Sequence, residues 1–252
     1  MITFVGAGPG AEDLITVRGQ NKLKEADVVI YAGSLVNPAL LKMCREECEI
    51  YNSAEMTLEE VMEVMIKGES SGKKVVRLHT GDPCLYGAIK EQMDELDRRK
   101  IPFEDFPGVS SFCGAAAALK AEYTLPGISQ SVVITRMAGR TPVPEKESIR
   151  SFAAHQATMV LFLSTGMLEK LSEELVAGGY QEETPAAIVY KATWPEEKVM
   201  HCTVGTLAET AEREKVTKTA LIVVGNVLNT EYERSKLYDP AFTTEFRKGK
   251  EV

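Results

Sequence analysis

The chain opens on a short apolar run, Ile2 to Val5, and breaks at once into Gly6-Ala7-Gly8-Pro9-Gly10. The same pattern recurs downstream. Val28-Val29-Ile30 gives way to Tyr31-Ala32-Gly33-Ser34. Val75, Val76 and Leu78 lead into Thr80-Gly81-Asp82-Pro83, and Ile101 to Phe106 end at Pro107-Gly108. Short continuous apolar runs suit strands buried on both faces of a parallel sheet. Between them the apolar period changes from strand to helix. Thr57-Leu58-Glu59-Glu60 is a capping box, followed by Val61, Met62 and Met65 on one helical face, with Gly68 as the expected stop. Asn37-Pro38 predicts a helix cap with Leu40, Leu41 and Cys44 as the buried stripe. Ile89, Met93 and Leu96 share a helix face that ends in Arg98, Arg99 and Lys100, cations placed at the negative end of the dipole. An alanine-rich helix is expected over Phe112 to Leu119. This alternation predicts an α/β fold with helices on both faces of a mainly parallel sheet.

The pattern lapses between Lys120 and Gln130, around Thr124-Leu125-Pro126-Gly127, and a second α/β series follows. Its expected strands are Val132 to Ile134, Thr158 to Leu163, Pro185 to Tyr190, a short one with His201 and Thr203, and Ala220 to Gly225. Met167, Leu168, Leu171 and Leu175 fall at helical spacing before Gly178-Gly179. The expected organisation is therefore an N-terminal domain over 1–122, a C-terminal domain over 130–230, and a charged, aperiodic tail over 231–252 that lies on the surface or is disordered.

With 252 residues, 44% of them hydrophobic, the chain has enough apolar material for a sizeable core. A net charge of −8 argues against a nucleic-acid partner, and an anionic substrate would need a local basic patch. Five cysteines at irregular spacing read as reduced thiols. Cys44 and Cys48 share a face if that stretch is helical, but two ligands do not make a metal site. No apolar stretch reaches the length of a membrane span, and the start reads as a strand rather than a targeting segment. The expectation is a cytoplasmic protein with no protein-bound metal and no membrane partner, and a homodimer as the common oligomeric default.

Candidate chemistry lies in the loops that follow the strands, where ligands bind in open α/β sheets. Gly6 to Gly10 with Ala11 also fits G-x-G-x-x-A, which raises a dinucleotide-binding fold. Against it, Pro9 removes a donor from the would-be pyrophosphate cradle, and Glu12 and Asp13 put negative charge where phosphates would sit. Asp27 precedes its strand instead of ending it, so it is misplaced for a ribose. Ser110 and Ser111 read either as helix caps or as hydroxyls facing a ligand. The loop Arg136 to Pro144 is either a solvated surface loop or a substrate-facing lid. Trp194, the single tryptophan, is either a core plug or part of a cleft, and His79 is more simply a satisfied core histidine than a catalyst.

The loops GAGPG at 6–10, TGDP at 80–83 and PGVSS at 107–111, in this order, resemble the tetrapyrrole methyltransferase family. The likeness runs from Ile2 to about Leu228. It implies two α/β domains, both with mainly parallel sheets and with the active-site cleft between them, S-adenosylmethionine as methyl donor and S-adenosylhomocysteine as product. Tyr31-Ala32-Gly33-Ser34-Leu35-Val36, His79-Thr80-Gly81-Asp82-Pro83, Thr141-Pro142-Val143-Pro144-Glu145 and Tyr190-Lys191-Ala192-Thr193-Trp194-Pro195 carry a narrower match. They imply methylation at C-11 of precorrin-4 or its cobalt form in cobalamin synthesis. Other outcomes within the family are methylation of uroporphyrinogen III or of a diphthamide precursor, and a non-catalytic corrinoid carrier is a different class again. The resemblance assigns the donor to Pro9, Thr80, Gly81, Asp82, Leu85, Tyr86, Ser110 and Ser111, with Thr165, Ala187, Thr219, Ala220 and Leu221 from the second domain. Thr80 stands where many members have glycine. Asp82 is the one candidate catalytic group, for orientation or charge stabilisation. Arg136, Arg140 and Lys191 are expected to meet the carboxylates of the tetrapyrrole. Methyl transfer from a sulfonium needs alignment more than acid or base, which fits the lack of a triad, paired carboxylates or metal spacing.

Overall fold

The computed structural model describes residues 1–229, 232, 233 and 235–250. It divides into two compact units, Met1–Ala115 with Lys191–Glu197, and Ala116–Tyr190 with Lys198–Val252.

The first unit is built on five strands, β1 (Ile2–Gly6), β2 (Val28–Tyr31), β3 (Glu49–Asn52), β4 (Val75–His79) and β5 (Phe103–Phe106). Their order is β3-β2-β4-β1-β5, every pairing parallel. Alternation along the strands sends side chains to two cores. Ile2, Phe4, Ile30 and Val75 face one, with Val61, Met62, Met65 and Leu96; Val5, Val29, Val76 and Leu78 face the other, with Leu23 and Leu40. The helices are α1 (Val17–Glu25), α2 (Leu58–Ser70), α3 (Lys90–Arg98) and α4 (Ser111–Leu119). Thr57 and Glu60 form the expected capping box at the start of α2. Gly68 does not end that helix: it is buried at the α2–β4 contact, where a Cβ would come within 2.7 Å of Val75. The stop falls four residues later at Gly72, whose φ of +74° is the left-handed geometry of a helix C-terminus. Asn37 caps as expected, but Pro38–Met43 winds as a 3-10 helix.

The second unit holds β6 (Val132–Arg136), α5 (Ile149–Ala153), β7 (Thr158–Phe162), α6 (Leu168–Gly178), β8 (Pro185–Tyr190), β9 (Lys198–Thr203), α7 (Leu207–Arg213) and β10 (Ala220–Val224). The sheet order is β6-β7-β10-β8-β9. The α/β class stands, but strand direction here corrects the expectation of a mainly parallel second sheet. Only β6 and β7 pair in parallel; β7 with β10, β10 with β8, and β8 with β9 are antiparallel. The cause is a short connection. A parallel neighbour requires a crossover of a dozen or more residues, and β8 reaches β9 through Lys191–Glu197 alone, so the chain reverses.

Two features of the expected domain layout differ. The division by compactness falls inside α4, not in the loop around Pro126. Lys191–Glu197, read from sequence as part of the second domain, belongs to the first unit, because Thr193 and Trp194 bond to Ala11 and Pro9. In the tail, described residues such as Phe246 are exposed. Thr230, Glu231, Arg234, Glu251 and Val252 lie outside the described residues.

Candidate functional site

In the first sheet β4 lies between β1 and β2, and the chain leaves β4 for β5 on the other side of β1. The loops after β1, β4 and β5 therefore emerge side by side at the carboxyl edge, at a switch point of the strand order. These are the three loops selected from the sequence.

Glycine is what lets them meet. A Cβ on Gly108 would overlap the carbonyl oxygen of Gly81 and stand 2.7 Å from Gly6 Cα. Gly8 and Gly81 exchange backbone bonds, Gly81 N–H to Gly8 O at 2.9 Å and Gly8 N–H to Gly81 O at 3.2 Å, while Ala7 N–H donates to His79 O at 2.7 Å. Gly81 has φ +59°, and a Cβ there would sit 3.5 Å from Ser110 Cα and Ser111 N. So Gly81 faces the start of α4, a helix with no acidic residue in its first turn, and that N-terminus favours a carboxylate. Pro9, Thr80, Gly81, Ser110 and Ser111 are thus brought to one edge, Ser110 buried and Thr80 and Ser111 half-buried. Leu85 and Tyr86 follow in the same loop, Tyr86 exposed with φ +59°.

Asp82 is the tie between two of the loops. Its Oδ1 accepts from Cys84 N–H and its Oδ2 from Gly108 N–H, both at 2.9 Å. Both carboxylate oxygens are engaged with backbone, which makes Asp82 a positioning residue for the loops around it. Cys84 in turn donates to Asp105 Oδ2 at 3.2 Å, and that bond, then burial, pushes its thiol up to about 11.

His79 is buried as expected but not satisfied. Its ring lies 6.2 Å from that of Phe4, and Nε2 finds no hydrogen-bond partner among the described residues. Burial, with the Arg77 guanidinium nearby adding to it, pushes the imidazole down to about 3. It is neutral at any working pH. Arg77 itself is buried with no carboxylate paired to it among the described residues, donating to Gln92 Oε1 at 3.2 Å and Ile30 O at 3.1 Å, and burial lowers it to about 10.

The glycine loop does not run straight into a helix. A 3-10 turn, Glu12–Leu14, intervenes before α1, which Thr16 caps by accepting from Gly19 N–H. An open pocket of about 460 Å³ beside the loop is walled by Glu12, Asp13, Asn37, Thr193, Trp194 and Pro195, among others. Two carboxylates in that wall repel a pyrophosphate. Asp27 lies at the amino end of β2, accepting from Lys74 N–H at 2.7 Å and pairing with Arg45. The dinucleotide reading has neither its cradle nor its ribose acid.

Within the second unit, Thr165 donates to the carbonyl of Ala220 at 3.1 Å, so these two stand together. Ala187 pairs with Val223 and Leu221 with Val189, which puts Ala187 and Leu221 on the same face of the sheet, opposite the face carrying Ala186, Ile188 and Ile222 into the main core. Thr219 enters β10 with φ +59°, an outlier for a β-branched residue. Arg136 does something sequence did not suggest. Its guanidinium donates to the carbonyls of Met137 and Thr141 at 3.2 Å and of Pro142 at 2.8 Å, bracing the irregular loop from within. Arg140 is exposed in that loop. Lys191, in the first unit, has its ammonium 5.1 Å from the centre of the Trp194 ring and 3.5 Å from Glu196.

Among the described residues, ten other than glycine have positive φ. Lys100, Lys120, Gln156 and Lys215 close helices. The other six, Tyr86, Ala88, Leu163, Lys191, Thr193 and Thr219, all fall in or beside the loops discussed above. Such strain collects at functional sites. Sequence reasoning missed Asn37 and Thr193 as partners of the glycine loop. Asn37 signalled only a cap, which it is, its Oδ1 accepting from Ala39 N–H, yet its Nδ2 also donates to Gly10 O at 2.8 Å. Among the described residues no group of three or more His, Cys, Asp or Glu is placed to hold a metal, and no helix is long and apolar enough to cross a membrane.

Residues 1–208 match the family model described as Tetrapyrrole (Corrin/Porphyrin) Methylases. The chain is 56% identical over 248 residues to the cobalt-precorrin-4 C(11)-methyltransferase of Methanocaldococcus jannaschii, covering 98% of this chain and 96% of that one. Among solved structures, a cobalamin biosynthetic enzyme, cobalt precorrin-4 methyltransferase, aligns with TM-score 0.89 and 45% identity over 90% of this chain and 95% of its own. Uroporphyrin-III C-methyl transferase from Thermus thermophilus, complexed with S-adenyl homocysteine, aligns with TM-score 0.76 and 27% identity, covering 92% and 95%.

Proposed function

The chain belongs to the tetrapyrrole (corrin/porphyrin) methylase family, and on that premise we propose that it is an S-adenosylmethionine-dependent C-methyltransferase acting at C-11 of precorrin-4 or cobalt-precorrin-4. The observation that carries this reading is the 56% identity to a relative of that name across nearly the whole of both chains. The residues fit the donor: the loops after β1, β4 and β5 close around a cradle at Gly81 that a side chain would fill, beside a helix N-terminus suited to an amino-acid carboxylate. When bound, the donor supplies a methyl group already activated by a cationic sulfur.

The protein's part is alignment. Thr80, Gly81 and Ser110 offer backbone and hydroxyl groups at fixed positions, and Asp82 keeps two of the loops in register. Pro9, Leu85, Tyr86 and Ser111 complete the contacts of this unit. The family likeness adds Thr165, Ala187, Thr219, Ala220 and Leu221 from the second. Orientation of this kind supplies roughly 7–11 kcal/mol in favourable cases, so no titrating group is required for the transfer itself. Buried His79, neutral at working pH, carries no imidazolium proton to act as an acid. For the acceptor, Arg140 is the leading carboxylate partner, presented by a loop that Arg136 braces; Lys191, in the first unit, is a second candidate. The five free thiols fit a reducing, cytoplasmic setting, and a homodimer is the proposed assembly, to be measured by light scattering.

The test is incubation of purified protein with methyl-labelled S-adenosylmethionine and each form of the acceptor. One label per macrocycle, located at C-11 by NMR, is expected. Methylation at another carbon moves the protein to a different branch of the family, and tight binding without turnover makes it a carrier.

A further inference from the structure

Three consecutive residues of the glycine loop have polar backbone groups that are met by side chains from far along the chain. The Pro9 carbonyl accepts from Trp194 Nε1–H at 3.1 Å, the Gly10 carbonyl from Asn37 Nδ2–H at 2.8 Å, and Ala11 N–H donates to Thr193 Oγ1 at 3.0 Å. Packing repeats the message. A Cβ on Gly10 would overlap the indole of Trp194, so this glycine makes room for the ring. On α4, a Cβ at Gly114 would stand 2.9 Å from Pro9 Cβ and 3.1 Å from Thr193 Cγ2, so this glycine lets both Pro9 and Thr193 pack close against that helix.

The segment that delivers these groups is itself stiffly built. Thr193 has φ +69°, an outlier for a β-branched residue, and Lys191 has φ +45°. The turn is closed by Trp194 N–H to Lys191 O and Glu197 N–H to Trp194 O, both at 3.0 Å, and by Thr193 N–H to Glu197 Oε2 at 2.6 Å. The ammonium of Lys191 lies against the indole. None of these bonds belongs to a strand ladder. They fix the loop after β1 at the edge where the three loops converge.

We propose that Trp194, Thr193 and Asn37 form a clamp that sets the shape of the loop at Pro9–Ala11 for binding the methyl donor, with Trp194 as its chief positioning residue. The inference rests on the donor reading above. Pro9 has no N–H, and a loop so rich in glycine has little intrinsic preference for one shape. Without the clamp its groups turn to water and its conformations multiply, so the donor must select a minor one. The apparent affinity falls by the fraction competent, while the geometry reached once the donor is bound is unchanged. The clamp therefore acts on donor affinity and not on turnover at saturation.

Trp194 is the only tryptophan, which gives a direct readout. In the unaltered protein, S-adenosylhomocysteine titrated by calorimetry and by indole fluorescence should give the same Kd. Trp194→Phe, which keeps a ring but loses the donor to Pro9, should raise that Kd roughly five- to tenfold, the worth of one hydrogen bond. Thr193→Ala should do the same, and Thr193→Ser, which keeps the hydroxyl, should restore affinity to within about twofold. In steady state the donor KM should rise while kcat and the acceptor KM stay put. Donor affinity indifferent to Trp194→Phe and Thr193→Ala overturns the clamp and leaves the donor reading intact. So does an equal rise in both KM values, which marks general loosening. An unaltered protein that binds no S-adenosylhomocysteine overturns the donor reading itself.

Discussion

Asp82 is where a chemical and a positioning role give opposite results. Its two oxygens each accept one backbone N–H at 2.9 Å, from exposed Cys84 on one side and part-buried Gly108 on the other. Replacement by Asn leaves one acceptor and one NH₂. The favoured rotamer keeps the carbonyl on part-buried Gly108, where water reaches less readily, and turns the NH₂ toward exposed Cys84, where water can substitute. The cost is then loss of charge assistance on one bond and of the exposed bond, about 1–2 kcal/mol. Alanine removes both acceptors and leaves the Gly108 N–H without a partner, about 2–4 kcal/mol. Urea unfolding of the three proteins should rank them wild type, Asn, Ala. Single-turnover transfer from labelled S-adenosylmethionine should show Asn within about tenfold of wild type, because the loops stay in register. Ala should fall much further, since a misplacement of about 1 Å is worth about 100-fold in rate. The reasoning fails if Asn is folded and binds S-adenosylhomocysteine normally yet loses about 1,000-fold in rate, for then the negative charge itself takes part. It fails equally if Asn and Ala are as stable as wild type.

His79 supplies a pH test. Its imidazole is held near pH 3 in the folded protein against about 6.5 unfolded, so the unfolded chain takes up the proton first. The stability it contributes is complete above about pH 6.5 and is lost progressively toward pH 3. Between pH 7.5 and 5.0 the stability difference between wild type and His79→Asn should shrink by about 2 kcal/mol; parallel urea-midpoint profiles would contradict this. Gly108→Ala drives a methyl into the Gly81 carbonyl and should destabilise by about 3 kcal/mol or more. Gly166→Ala, with no atom within 4 Å of the new Cβ, should barely move the melting temperature, and similar melting curves would refute the close approach. Arg140→Ala should weaken tetrapyrrole binding by roughly 1.5–3 kcal/mol and steepen no salt dependence, while calorimetry of S-adenosylhomocysteine stays unchanged; loss for both ligands would speak against a separate acceptor contact.

Much of the first unit was legible because its signals are local. Thr57 and Glu60 cap each other three residues apart, and the strands reading Ile2–Val5 and Val75–Leu78 end in turns that only glycine and proline make. Strand direction in the second sheet was not legible. Apolar runs such as Pro185–Tyr190 and Ala220–Val224 are buried on both faces, and such runs look the same whether their neighbours are parallel or antiparallel. The decisive feature was the length of the β8–β9 connection. At the candidate site, sequence located the loops but not the job of each side chain. Asp82 and Arg136 carry charge, which suggests ligands, yet both direct it to backbone groups, Asp82 to its own loop and the one at Gly108, Arg136 to its own loop. Asn37 and Trp194 serve Gly10 and Pro9 across 27 and 185 residues, and no periodicity reports a pairing at such separations.

That last separation orders events during synthesis. All five strands of the first sheet have been synthesised once Phe106 is added, so its hydrogen-bond ladders can form as soon as that stretch clears the ribosome. Thr193 and Trp194 come nearly ninety residues later, roughly 5–20 s at ordinary elongation rates. Throughout that interval the nascent sheet carries a glycine loop whose Pro9, Gly10 and Ala11 backbone is completed only by water and Asn37. A fragment cut at residue 122 would be frozen at this stage, folded in its strands and unfinished at the edge that matters. By the proposed clamp, such a fragment keeps the strands of the first unit and loses donor affinity, and Lys191–Glu197 supplied in trans should restore it.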